Sequence, residues 1–393
     1  MSTVTDLARP GGPPPPDSGP GGRDGSAGDD RPVRQRRIGP TAAAEMGGSA
    51  LAGLAVVWVA FSVSGVVGPF GFVVCWLMAF FSIYAILCWQ RHGVLAMKDR
   101  LATLGVWVGA LCALIPLVGV IGYVIIHGAS VALDHFPHFF IADFSQYTAT
   151  APVTSVGAGA AIVGTIEQVG IATIITVPLG MLTATYLVDH RNTFSRVVSN
   201  VVDAMTGAPA IIAGLFVYLL WVVPNKLNGK SGFAAALALA VMMLPIVTRA
   251  AQEVIAIVPG SLREAALALG SPQWRSVLRV TLPTARVGLV TAVILGVARI
   301  AGETAPVLFV AGGNAHYNWN PFKGQQDDLP LRIYQMIFQA GGNAVRDAWG
   351  VSFVLVLVVL TLFLLARLIG ASGPGRRLIP WHMLRRTSQG IDG

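Results

Sequence analysis

Charged residues are scarce in this sequence. Lys, Arg, Asp and Glu make up 12% of the 393 residues, whereas apolar residues make up 54%. Soluble globular proteins carry about 25% charged residues, and the mean hydropathy here is +0.66. This composition argues against a soluble enzyme of this length. It also argues against a mainly disordered chain, because disorder requires low hydrophobicity and high net charge.

The usual signatures of catalysis and metal binding are also absent. The three cysteines all lie in apolar runs, without the spacing of a disulfide framework or a metal site. No H-E-x-x-H motif, G-x-S-x-G motif or Cys-His cluster occurs. The Gly-Lys-Ser string at 229–231 lacks the upstream glycine of a phosphate-binding loop, because Pro224 stands there. We therefore predict no catalytic residue, metal or bound cofactor in this chain.

Long apolar runs dominate the remainder. A membrane crossing needs about 20 apolar residues, and eight runs qualify: 49–68, 70–89, 102–126, 159–188, 199–222, 232–251, 287–311 and 350–370. The first two, separated by the turn Gly68–Gly71, predict a two-helix hairpin over 49–90. Residues 1–48 are rich in Pro, Gly and Arg and predict a disordered cytoplasmic tail. Residues 371–393 predict a second tail, so the expected fold is an all-α integral membrane protein.

Positive charge predicts the orientation. Cytoplasmic loops of membrane proteins are enriched in Lys and Arg. With both termini in the cytoplasm, 21 of the 27 Lys and Arg residues fall inside and five fall in outside loops, while Arg299 lies within a span. We interpret the net charge of +8 as a consequence of the membrane topology. We therefore predict lipid as a partner and not nucleic acid.

The long inside segment 253–283 has helical signals of its own. Ser261 and Glu264 have the spacing of a capping box, and Gly270 suits a left-handed helix end. Ser271 and Pro272 suit the start of a second helix, and Pro283 predicts a break before the next span. Such a helix pair either acts as a lever for a soluble partner or merely packs against its own protein. Local physics leaves the two readings open.

The same segment resembles the coupling loop of ATP-binding-cassette importer permeases. The match consists of Glu264-Ala265-Ala266, three residues, Gly270, nine residues and then Val-Thr-Leu-Pro. Val280 stands where the family favours Ile. The resemblance implies that this loop docks on a cytoplasmic ATPase. The residues that would carry the coupling are Glu264, Ala265, Ala266, Gly270, Leu282 and Pro283.

Two charges lie within a predicted span. Arg299 and Glu303 are four residues apart, so they can pair on one helix face. Charges in a membrane are costly, rarely face lipid and are functional candidates by default. The pair is either a structural ion pair or a polar patch on a transport pathway, and both readings remain open.

The string RIAGETAP at 299–306 resembles the phosphate-specific transport permeases, as do 164–187, 203–218 and 244–259. The resemblance implies a six-helix type I importer permease domain over 101–370, with its core at about 160–366 and the hairpin as an addition. It implies a translocation pathway containing Arg299, Glu303 and Thr304. It also implies a location in the bacterial inner membrane.

The partners follow from the resemblance as well. It implies a second homologous permease, a cytoplasmic ATPase dimer that uses the ATP, and an extracytoplasmic phosphate-binding protein. Three alternatives remain: a permease for another oxyanion such as sulfate or molybdate or for another solute, a non-conducting regulatory subunit, and a secondary transporter. The coupling loop argues against the last.

Overall fold

The computed structural model describes residues 40–64, 68–145, 156–226, 229–339 and 342–371. Within these ranges the chain is helical, with π-helical turns and irregular segments and no strand. Residues 1–39 of the predicted tail 1–48, residues 372–393 of the predicted tail 371–393, and residues 146–155 lie outside the described residues. The predicted disorder is wrong for 40–48, which belong to a helix. The first helix already begins at Pro40, before the predicted start of the first span at 49.

The first of two compact units covers the described residues up to Cys112. Helix α1, Pro40–Ser64, runs antiparallel to the start of α2, Pro69–Tyr123. Gly53 lies against the backbone of Phe80, and Trp76 Nε1 donates to the Ala50 carbonyl at 3.0 Å. The predicted hairpin therefore forms from these two helices.

Helix α2 contains a break at Gly93, whose φ of 79° and ψ of 172° are not helical. One apolar cluster joins Tyr84 and Cys88, before the break, to Leu104, after it. Because these positions are far apart along a straight helix, the chain must fold back at Gly93. Glu45 accepts from both Arg91, at 3.1 Å, and Arg100, at 3.0 Å.

The number of crossings is consistent with eight. In the described part of the chain, six helices are long and apolar enough to span a membrane, and one bent pair adds a seventh. The stretch Pro69–Asp134 has 66 residues, about three times what one crossing needs, and it is broken at Gly93. Counting it as two spans gives the predicted total.

The second unit, from Ala113 onward, is built around three helices. They are α5 (Gly159–Asp189), α9 (Gly232–Ala256) and α12 (Leu282–Ile300). Small residues bring their backbones close together, as is usual in membrane bundles. Gly180 on α5 lies against Val247 of α9, and Gly296 on α12 lies against Val247 and Met243. Alanines of α9 fill much of the core between them.

The remaining elements of this unit surround that core. They are the π-helical turn Val124–Gly128, α3 (Ala129–Asp134), α4 (His138–Ile141), α6 (Thr193–Thr206), α7 (Ala210–Val217), the π-helical turn Tyr218–Val222, α8 (Val223–Asn225), α10 (Gly260–Ala268), α11 (Gln273–Ser276), the π-helical turn Val277–Thr281, α13 (Leu329–Ile337) and α14 (Gly342–Ala371). Helix α14 packs on α12, on α13 and on α3. Gly128 and Gly350 provide the close approaches along α14.

The predicted span over 199–222 is strongly bent, and its first helix begins earlier, at Thr193. Helix α6 and the stretch Ala210–Asn225 meet at an angle of 107°. The break falls at Gly207–Pro209, and Pro209 takes an extended ψ of 136°. Proline has no N–H for a helical bond, and it disfavours helix in the residue before it. Pro209 therefore separates two helices within the stretch predicted as one span.

Candidate translocation site and coupling loop

Arg299 and Glu303 form an ion pair at the end of α12. Arg299 lies in the last turn of the helix, and its Nη1 donates to Glu303 Oε1. A cation at a helix C-terminus interacts favourably with the helix dipole, and Glu303 balances its charge. The predicted pairing is confirmed. The side chain of Arg299 is still 57% exposed, against 12% for Glu303, so the guanidinium remains accessible beside a buried carboxylate.

The bounds of the predicted span at 287–311 are wrong at both ends. A continuous helical stretch begins at Gln273 and ends at Ile300. Residues beyond it form turns, in which Leu308 N donates to the Thr304 carbonyl at 3.0 Å. Gly302 favours a helix end and Pro306 cannot continue a helix. Glu303 and Thr304 therefore lie after the helix, at the start of an irregular segment.

This irregular segment is buried inside the protein. Val307, Val310 and Ala311 lie in the main apolar core, and Pro306 lies so close to Gly214 of α7 that a side chain at Gly214 would meet the Pro306 backbone. Non-helical backbone at membrane depth is tolerated only where protein covers it or where it lines a cavity. The predicted site residues thus lie where a membrane helix is interrupted, an arrangement that transporters use for substrate sites.

A small cavity adjoins Glu303. It is also lined by Gln168 of α5 and by Asp328, which precedes α13. Asp328 Oδ1 accepts from the backbone N–H of Leu331 at 2.8 Å and caps α13. Burial raises the pKa of Asp328 to about 7. Among the described residues, neither Asp328 Oδ2 nor Gln168 Oε1 has a hydrogen-bond partner.

The neighbouring Asp327 forms a second buried ion pair. Arg332 Nε donates to Asp327 Oδ2 at 2.5 Å, and both side chains are almost completely buried. Burial raises the pKa of Asp327 to about 6, although Arg332 lowers it. Arg332 is one of the five positive charges assigned to outside loops, and the sequence pattern did not predict this pair. The signal was available, since an Asp before Leu-Pro is a typical helix N-cap.

The coupling loop contains the predicted short helix, α10. Gly270 has a φ of +78°, which confirms the left-handed helix end. Gly270 N donates to the Leu267 carbonyl at 2.9 Å, and Ser271 N donates to the Ala266 carbonyl at 3.1 Å. This pair of bonds is a Schellman motif.

The predicted helix starts in this loop are wrong by one or two positions. Pro259, not Ser261, caps α10, and no side chain bonds the cap. Pro272, not Ser271, precedes α11. In both cases a proline fixes the φ angle and the backbone enters the helix without help from a serine.

Part of the surface of the coupling loop is exposed. Glu264 and Ala265 are exposed and Ala266 is half-buried. Leu269 is 90% exposed and Trp274 60%. This part of the loop therefore leaves large apolar side chains uncovered in the single chain.

Leu282 and Pro283 lie in a helix and not in the loop. The predicted break at Pro283 is absent, because α11, the π-helical turn Val277–Thr281 and α12 are continuous. A π-helical turn widens the helix, which makes room for a proline ring near the preceding turn. Leu282 packs against the apolar cluster at the ends of α5, α9 and α12, whereas Pro283 is exposed.

Two polar side chains elsewhere in this unit, Ser231 of the Gly-Lys-Ser string and Glu167 of α5, have structural roles. Ser231 caps α9 by accepting from Ala234 N at 3.2 Å. Glu167 accepts from Gln326 Nε2 at 2.5 Å. In the described ranges no group of three or more His, Cys, Asp or Glu residues has the arrangement of a metal site.

Comparison with known proteins identifies the family. The family described as "binding-protein-dependent transport system inner membrane component" matches residues 176–374. The chain belongs to this family. It is 37% identical over 287 residues, 72% of this chain and 91% of the relative, to "Phosphate transport system permease protein PstA 1" of Mycobacterium tuberculosis. It is 39% identical to "Phosphate transport system permease protein PstA" of Haemophilus influenzae, over 57% of this chain and 79% of the relative.

A solved structure has the same fold. It is titled as a bacterial ABC transporter involved in the import of the acidic polysaccharide alginate, and the matched chain aligns with a TM-score of 0.50. The alignment covers 70% of this chain and 97% of that one at 16% identity, so it bears on the fold alone. The protein is thus a multi-pass membrane permease with the all-α fold of ABC importers. The hydrolysis of ATP belongs to another subunit of such a system.

Proposed function

We propose that this chain is a membrane permease subunit of an ATP-driven phosphate importer. The observation that carries the proposal is the 37% identity to a phosphate transport permease along 91% of that relative's length. The family match over residues 176–374 includes both the segment around Arg299 and the coupling loop. The alternatives of another oxyanion and of a non-conducting subunit become outcomes of the experiment below.

Arg299 is proposed to attract the phosphate anion within the pathway. An arginine in a membrane segment requires compensation, and a guanidinium that is 57% exposed must face either a second protein or water. A planar guanidinium binds phosphate oxygens in a two-pronged geometry. Glu303 orients Arg299 and lowers the net positive charge, which prevents the anion from binding too tightly to leave. Thr304 adds a hydroxyl beside the pair.

The exposed face of the coupling loop is the proposed docking surface for the ATPase. It combines a carboxylate, Glu264, with exposed apolar groups at Leu269 and Trp274, and such a mixture suits a protein partner. We propose a pair of ATPase subunits at this face and a second related permease beside this chain. A phosphate-binding protein would deliver the anion from outside, with both termini of this chain inside. No cofactor is proposed for this chain.

Phosphate uptake in cells is the decisive test. Radiolabelled phosphate uptake at low external phosphate should fall when this gene is deleted from cells without a second high-affinity phosphate importer, and return when it is restored. Excess unlabelled sulfate should not compete, and an ATPase partner disabled in hydrolysis should prevent uptake. Competition by sulfate would assign another oxyanion, and unchanged uptake after deletion would refute the phosphate proposal.

A further inference from the structure

The coupling helix α10 has no apolar anchor of its own. It is described throughout, and none of its nine residues is buried. A helix of two to three turns in water is not stable by itself. Its position relative to the membrane helices must therefore be fixed by its two short connections and by polar contacts.

Arg263 supplies such contacts from the inner face of α10. Its Nη1 donates to Asp189 Oδ1 at 2.6 Å, and its Nη2 donates to the carbonyl of Ile255 at 3.1 Å. Asp189 is the last residue of α5, and Ile255 lies in the last turn of α9. One guanidinium therefore joins the coupling helix to the inner ends of both helices.

The environment makes this contact stronger than a surface ion pair. The side chain of Arg263 is 21% exposed and that of Asp189 is 10%, so solvent screens the pair only partly. An acidic residue at the C-terminus of a helix is unfavourable because the helix dipole is negative there. Asp189 is in that position on α5, and the guanidinium compensates its charge while also donating to the Ile255 carbonyl in the last turn of α9.

The two helices held by Arg263 lead towards the Arg299 site. Helices α5 and α9 pack closely along their length and share apolar clusters. Helix α12, which carries Arg299, packs on α9 through Gly288 against Val254 and through Gly296 against Met243. A displacement of α10 that is passed to α5 and α9 therefore reaches α12, whose last turn carries Arg299.

We infer that Arg263 is a positioning residue whose bonds to Asp189 and Ile255 make α10 move together with α5 and α9, so that ATPase motion is converted into transport. This inference rests on the proposed function and adds to it. Arg263 is mostly covered by its contacts, whereas Glu264 and Leu269 are exposed, so we place the bridge outside the proposed docking surface. Its loss should leave the ATPase bound but hydrolysing ATP without moving substrate.

The test uses the complete importer in proteoliposomes with its binding protein. The measurement is the number of ATP molecules hydrolysed per phosphate transported, together with the amount of ATPase that co-purifies. Arg263→Gln should raise this ratio roughly 3- to 30-fold, the range typical of residues in a coupling network, with normal ATPase binding. Asp189→Asn should do the same, and the double variant should be no worse than either single one, because both remove one contact.

Two further variants control for folding and charge. Arg263→Lys keeps the charged contact to Asp189 but lacks the second guanidinium nitrogen that bonds the Ile255 carbonyl. Its ratio of ATP hydrolysed to phosphate transported should therefore lie between those of wild type and Arg263→Gln. Arg196→Gln removes an exposed positive charge from α6 and should leave the ratio unchanged.

The outcomes separate this inference from the proposed function. If wild type transports phosphate with ATP and Arg263→Gln keeps the wild-type ratio, the inference fails while the function stands. Loss of ATPase co-purification in Arg263→Gln would also overturn it, since Arg263 would then serve docking. If wild type itself transports no phosphate, the proposed function fails instead.

Discussion

Replacement of Gly270 by valine tests whether the end of the coupling helix matters for transport. Gly270 has a φ of +78°, a conformation that costs an L-residue about 1–2 kcal/mol and is a clear outlier for a β-branched one. A Cβ at Gly270 would meet nothing within 4 Å, so the cost is conformational and not steric. Because α10 buries none of its nine residues, packing cannot offset this strain.

The expected result is a displaced helix end in an otherwise intact protein. A cost of one to two kcal/mol changes a conformational ratio by about 5- to 30-fold. We expect phosphate uptake by Gly270→Val to fall by a similar factor. Gly270→Asn is the matched control, because asparagine tolerates the left-handed conformation and should transport close to the wild-type rate.

The assay measures phosphate uptake in cells that lack the chromosomal gene, with membrane abundance quantified for each variant. The reasoning predicts normal abundance, low uptake for valine and near-normal uptake for asparagine. Normal uptake by Gly270→Val at normal abundance would refute it. Equal loss in both variants would show that side-chain bulk matters and not backbone conformation, which contradicts the open space at Gly270.

Three further predictions concern the packing and the loop after Arg299. Burial raises the pKa of Asp328 from an ordinary 3.8 to about 7 in the folded protein. The folded state therefore binds a proton that the unfolded state has lost, and the free energy of unfolding falls as pH rises from about 4 to 7. Asp328→Asn should reduce the loss of melting temperature between pH 5 and pH 8, and an unchanged loss would contradict this. Gly214→Val should lower abundance severely because its side chain would meet the backbone of Pro306, whereas normal abundance would show that α7 can move away. Ser231→Ala removes the cap bond to Ala234 N and should destabilise the protein by about 1 kcal/mol, measured as a lower melting temperature in detergent, while Ser231→Thr should retain most of it.

Local features of the sequence predicted the structure well. The spacing of Arg299 and Glu303 predicted their ion pair, although the helix ends at Ile300 and Glu303 reaches Arg299 from the turn that follows. Gly270 predicted a left-handed helix end, since glycine is the usual residue there. The charge scarcity and the apolar runs predicted a membrane bundle.

Helix ends inside apolar sequence were not predictable in the same way. Residues 303–311 are as apolar as a span, but they form a buried turn segment against α7. Burial requires apolar side chains in a helix and in a turn alike, so hydropathy does not distinguish the two. The bend between α6 and α7 was underestimated for the same reason.

Side-chain contacts between residues far apart in the sequence were also not predictable. Arg263 and Asp189 are 74 residues apart, and nothing in either local pattern connects them. The pairing of Gln326 with Glu167, over 159 residues, is a similar case. Such contacts follow from the packing of α5, α9 and the outer loop, which a single sequence does not determine.

ATP-driven phosphate import by the reconstituted importer, with wild-type chain or Arg299→Gln, tests the central claim most directly. The account predicts that wild type accumulates phosphate only with ATP inside and binding protein outside, and that Arg299→Gln fails although it assembles normally with the ATPase. Arg299→Lys, which keeps the charge but not the planar fork, should retain partial transport. Wild-type vesicles that accumulate no phosphate under these conditions, or Arg299→Gln vesicles that accumulate it at the wild-type rate, would contradict the account.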